Sequence, residues 1–86
     1  MNKQMKKASK TFIERVKKLY PTITVEENPR VDSEEAITHK VRLGKYSREK
    51  FETIEGVTLE IEEETGIIIH VHPIWEAKEV KSAKVA

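Results

Sequence analysis

The stretch Gly56-Val57-Thr58-Leu59-Glu60-Ile61-Glu62-Glu63-Glu64-Thr65-Gly66-Ile67-Ile68-Ile69-His70-Val71-His72 decides how the chain is read. From Val57 to Glu62 apolar and polar residues alternate: Val57, Leu59 and Ile61 share one face, and Thr58, Glu60 and Glu62 the other. That is the period of a half-buried strand. A loop of Glu64-Thr65-Gly66, with Gly66 left-handed, joins it to a second strand as a hairpin. The opposed pairs are then Glu62 with Ile68, Ile61 with Ile69, Glu60 with His70 and Leu59 with Val71. A shorter loop at Thr65-Gly66 sets Glu62 against Ile69 and mixes the faces, so register parity rejects it.

Upstream, Ser47 is placed to cap a short helix from Arg48 to Glu55, with Phe51 and Ile54 three apart and Gly56 as its terminator. Gly44 breaks an alternating strand from Ala36 to Leu43, in which Ile37, His39, Val41 and Leu43 oppose Thr38, Lys40 and Arg42. Asn28-Pro29 and Asp32-Ser33 mark Glu27 to Glu35 as a loop, preceded by a strand from Thr22 to Glu26. From Lys3 to Tyr20 the residues Met5, Ala8, Phe12, Ile13, Val16, Leu19 and Tyr20 recur at helical spacing, and Lys6, Lys7, Lys10, Glu14, Lys17 and Lys18 fill the rest of the wheel. Pro21 ends that helix. Downstream, Pro73 closes the last strand on its apolar face, and Trp75, the only tryptophan, follows it.

The order is helix, strand, strand, short helix, strand, strand. This predicts an α+β fold in which an amphipathic N-terminal helix packs on one face of a four-stranded, mostly antiparallel sheet. The 86 residues form one small domain, with Glu76 to Ala86 a partly disordered tail.

Composition excludes several functions. The chain has no cysteine, so thiolate metal sites, thiol nucleophiles and disulfides are out, which fits a cytoplasmic protein. The longest wholly apolar run is Ile67-Ile68-Ile69, far short of a membrane span, and no apolar segment follows the basic start as in a signal peptide. Phosphate-cradling glycine loops, nucleophile elbows and cofactor motifs are missing, so the chain reads as no enzyme and as holding no cofactor.

Three binding readings remain. His70 and His72, two apart on a strand, project from one face and can supply two imidazoles to a metal ion, with Glu60 as the third ligand in the expected register. The first 20 residues hold seven Lys/Arg against Glu14 alone, and Lys6, Lys10 and Lys17 on one flank of the helix can contact nucleic-acid phosphates. Net charge is only +1, however, and no stacking platform accompanies those lysines. A protein partner or a homo-oligomer is the reading favoured, through an open strand edge or through exposed apolar residues such as Ile68 and Trp75. A symmetric dimer would set the basic helix against an acidic sheet face.

Overall fold

The computed structural model describes residues 1–76. Helix α1 spans Lys3–Leu19. Asn2 caps it, its side chain accepting the Met5 N–H at 2.8 Å, and Lys17 and Lys18 in the last turn suit the negative end of the helix dipole. Its apolar arc buries Met5, Ala8, Phe12 and Val16 together with one polar residue, Ser9. Tyr20 closes the helix by donating its N–H to the Val16 carbonyl at 2.9 Å.

Strands β1 (Thr24–Val25) and β2 (Arg30–Val31) both run antiparallel to β3 (Ala36–Gly44), each along a different part of it. Thr24 lies opposite Arg42 and Val25 opposite Val41, whereas Arg30 lies opposite Thr38 and Val31 opposite Ile37. The offset between the two registers leaves Glu27, Asn28 and Pro29 as a bulge on one interrupted strand. The expected strand Thr22–Glu26 is therefore shorter, and the expected loop Glu27–Glu35 contains β2. The turn behind β2 is closed by the Asp32 N–H on the Ala36 carbonyl at 2.9 Å.

The largest correction concerns the deciding stretch. Helix α2 runs unbroken from Arg48 to Thr65, so Gly56 does not end it and Val57 to Glu62 is not a strand. Ile54, Val57, Thr58 and Ile61 fall at i, i+3, i+4 and i+7, and these four are buried. Val57 and Ile61 satisfy both periods; Leu59, apolar in the strand reading, is left 60% exposed. The glutamates that follow are good helix formers and poor strand formers, and a helix already nucleated at the Ser47 cap extends through them cooperatively. Gly66 does adopt the expected left-handed conformation, φ +79°, but as the helix C-cap, donating its N–H to the Glu62 carbonyl at 2.8 Å.

With no hairpin, the last strand pairs elsewhere. β4 (Ile68–Trp75) lies parallel to β3, with Ile37 beside Ile69, Thr38 beside His70, Lys40 beside His72 and Arg42 beside Ile74. Crossing over through α2 returns the chain to the start of β3, which is what parallel pairing requires. Ile68 directs its N–H to the Glu35 carbonyl, so even-numbered residues of β4 face β3 and Pro73 faces the outer edge. There its missing N–H costs no β3–β4 hydrogen bond, and β4 continues to Trp75 instead of closing at the proline.

The α+β class and the four strands stand, and two of the three ladders are antiparallel while the longest, β3–β4, is parallel; the order is corrected to α-β-β-β-α-β. Both helices cover the same face of the sheet, and Ile37, Val41, Leu43, Ile67 and Ile69 pack beneath them. Glu76 is held by its N–H on the Gly44 carbonyl at 2.9 Å; the rest of the expected tail lies outside the described residues.

Candidate functional site: the bare face of the sheet

Because both helices lie on one side, no helix among the described residues covers the other. Alternation sends Thr38, Lys40 and Arg42 of β3 and Ile68, His70, His72 and Ile74 of β4 to this bare face, in two adjacent rows. The interrupted edge strand adds Thr24, Glu26 and Arg30. Arg30 binds Asp32 at 2.8 Å, and the Thr38 hydroxyl donates to the other Asp32 oxygen at 2.6 Å. The Thr38 hydrogen bond, then that of Arg30, holds the Asp32 carboxyl below its usual range. Arg42 approaches Glu26 at 3.8 Å, both half-exposed, and Lys40 makes no ion pair among the described residues. A shallow cleft of about 270 Å³ lies between the Asn28-Pro29 bulge, Lys40 and His72.

Two aromatic rings meet at the end of the sheet. Where β3 ends, Gly44 turns at φ +76° and lies beside Trp75. The turn brings the Tyr46 ring to 5.1 Å from the Trp75 ring, tilted at 58°. A pair in this geometry contributes about 0.5–1.5 kcal/mol beyond the area it buries. Trp75 also packs against the core, while Tyr46 stays 57% exposed. Arg42, Lys45 and Arg48 stand in the same segment, all exposed.

The expected site residues are divided between the two sides of the molecule. His70 and His72 do share the bare face, and both are exposed. Glu60 does not join them, because it lies on α2 in the helix layer; the neighbour of His70 across the ladder is Thr38. No group of three or more metal-ligating side chains occurs among the described residues. Ile68 and Trp75 are half-buried, the first on the bare face and the second packed against the core. Lys6, Lys10 and Lys17 are exposed on α1, yet α2 packs alongside with seven glutamates against Arg48 and Lys50. The two helices are joined by Arg15, whose guanidinium donates to both Glu64 carboxylate oxygens at 3.0 and 3.1 Å. The acidic surface expected on the sheet is therefore on α2.

Two features escaped the sequence. Tyr46 has no periodic signal of its own and meets Trp75 only through the parallel pairing. Ser9 and His39 each sit at a core position of a periodic element, and that was the available signal. His39 is fully buried, stacked on Phe12 with centroids 5.2 Å apart. Its Nδ1 donates to the Glu26 carbonyl at 2.9 Å, so Nε2 is the acceptor for the Ser9 hydroxyl at 2.8 Å. Burial pushes the His39 pKa down against the opposing pull of that carbonyl. A serine bonded to an imidazole has the makings of a nucleophile, but Ser9 is only 4% exposed and its hydroxyl is turned to the ring inside the core. The chemistry it performs here is to satisfy a buried polar ring.

Compared with protein-family models, with curated proteins and with solved structures, the chain finds no match.

Proposed function

We propose that the chain is a non-enzymatic binding protein, at work in the cytoplasm, that engages a protein partner through the bare face of its sheet. The observation that carries this reading is the uncovered pair of rows on β3 and β4, in which Ile68 and Ile74 lie among Thr38, Lys40, Arg42, His70 and His72. Arginine is enriched at protein interfaces, where it offers several hydrogen bonds, and apolar side chains form the buried centre of such patches. Ile68 and Ile74 extend the apolar part of the surface along β4.

Nucleic-acid binding through α1 has less support. Helices pack about 8–10 Å apart, comparable to the ~8 Å Debye length at physiological salt, so a phosphate chain on the α1 lysines also meets the field of the α2 glutamates. Metal binding has two imidazoles and lacks the carboxylate once assigned to them.

The test replaces Ile74 by Asp, with Lys17→Asp on the helix side as control. A protein that co-purifies with the wild type should be lost with the first variant and kept with the second. Retention in both, or loss in the control alone, contradicts the reading.

A further inference from the structure

We infer that the outer edge of β4 takes an extended, basic segment of a protein partner, which pairs its backbone with Ile69 and Val71 and sets alternate lysines or arginines against Glu55 and Glu62 of α2. This is a second surface, and it stands whether or not the bare face is occupied.

The two edges of the sheet are built differently. On one side β1 and β2 are two residues each and are interrupted by the Glu27-Asn28-Pro29 bulge, a device that closes an edge to further strands. On the other side β4 has eight residues and pairs only with β3 among the described residues. Since Ile68 directs its N–H to β3, Ile69 and Val71 direct theirs, with their carbonyls, to the open side. These groups demand hydrogen bonds, and main-chain pairing is how an added strand gains affinity. Pro73 interrupts such a ladder only beyond Val71, and β4 holds no lysine, arginine, aspartate or glutamate to fend a strand off.

The helix above this edge selects by charge. α1 packs toward β1 and α2 toward β4, so the flank of α2 turned away from α1 overlooks the open edge. Glu64 marks the α1 side by its bonds to Arg15, and Glu60 lines a cleft there with Arg15 and Leu19. At 3.6 residues per turn, Glu55 and Glu62 lie about 140–180° round the helix from those two. Both are exposed, and neither makes an ion pair among the described residues. The cations of α2 are engaged, Arg48 by Glu52 and Lys50 by the Leu43 carbonyl. Lys40 and Arg42 lie one strand inward, on the opposite face of the sheet.

Glu55 and Glu62 stand about 10.5 Å apart along the helix, within reach of two long cationic side chains about 6.6–6.8 Å apart at alternate positions of an extended chain. The stems of those side chains lie on Phe51 and Val71, both partly buried against the core. A nucleic acid is repelled by the same glutamates and has no peptide ladder to offer. A second copy, paired edge to edge about a two-fold axis, sets Glu55 and Glu62 against their own kind.

The test uses the full chain and a synthetic peptide of alternating lysine and threonine. Two further peptides are controls: one with glutamate for lysine, and one N-methylated at every residue, which keeps its charge but cannot donate to a ladder. Amide hydrogen exchange of Ile69 and Val71, read by NMR, reports on the edge directly. Both amides should exchange freely in the chain alone and be protected by the lysine peptide alone. Its affinity should fall with salt and be about fivefold lower in Glu55→Gln/Glu62→Gln. Amides left unprotected at the highest peptide concentration overturn the inference, as does an affinity unchanged in the double variant or matched by either control peptide. Protection of both amides in the chain alone, with a dimer seen by sedimentation, overturns the choice of a separate partner.

Discussion

The Ser9 hydroxyl donates to His39 Nε2 at 2.8 Å and so ties the middle of α1 to the middle of β3 through the core. The ring is fixed on its other side by the Glu26 carbonyl and lies against Phe12, so one imidazole joins the helix, the central strand and the edge strand. Ser9→Ala leaves Nε2 buried without a partner and should cost about 1–3 kcal/mol, whereas changing both residues to apolar ones of similar shape should cost less than the single change. Chemical denaturation of the two variants checks this ordering; a single variant as stable as the wild type contradicts it.

The same ring makes stability depend on pH. Its folded pKa is lowered by burial, so below about 6.5 the unfolded chain binds the proton more readily than the folded one. The contribution is fully present above that value and declines as pH falls from it toward the folded pKa. The melting temperature should therefore drop between neutral and mildly acidic pH, and part of the drop should vanish in His39→Gln. An NMR titration that places the His39 pKa above 6.5 contradicts this.

Gly56 discriminates between the helix and the hairpin. In α2 it has no positive φ, and a methyl group there meets nothing within 4 Å. Gly56→Ala should stabilise the protein by about 0.5–1 kcal/mol. Had Gly56 ended a short helix in the left-handed region, the same change would destabilise it.

How much of this was legible follows from where each decision is made. α1, its core arc, the buried face of β3 and the Ser47 cap are local, and local periodicity found them. Residues 54–61 obey two periods at once: Val57 and Ile61 serve both, Leu59 favours the strand, and Ile54 and Thr58 favour the helix. The pairing of β4 with β3 settles the matter, and that is a tertiary fact outside the reach of any window. The site divides along the same line. His70 and His72 share a face by strand geometry alone, while the partners assigned to them depended on a register that does not exist. Tyr46 and Trp75 are brought together by the crossover itself.

Phe12 is fully buried in α1 and stacked on His39. Phe12→Ala should cost about 3–5 kcal/mol, a large share of the stability of a domain this size. A thermal melt that matches the wild type contradicts the packing of α1 on the sheet.

Zinc should leave the melting temperature unchanged near neutral pH, because His70 and His72 lack the third ligand that Glu60 was expected to provide. A zinc-dependent rise abolished by His72→Ala contradicts this.

Photo-cross-linking in the source cell tests the central claim, that the bare sheet face is the working surface, most directly. A photoreactive residue is placed at Ile74 on that face in one version and at Lys17 on α1 in another. The account predicts a discrete protein adduct from position 74 that Lys40→Gln/Arg42→Gln diminishes, and none from position 17. An adduct from position 17 alone, or nucleic acid captured at position 74, would contradict it.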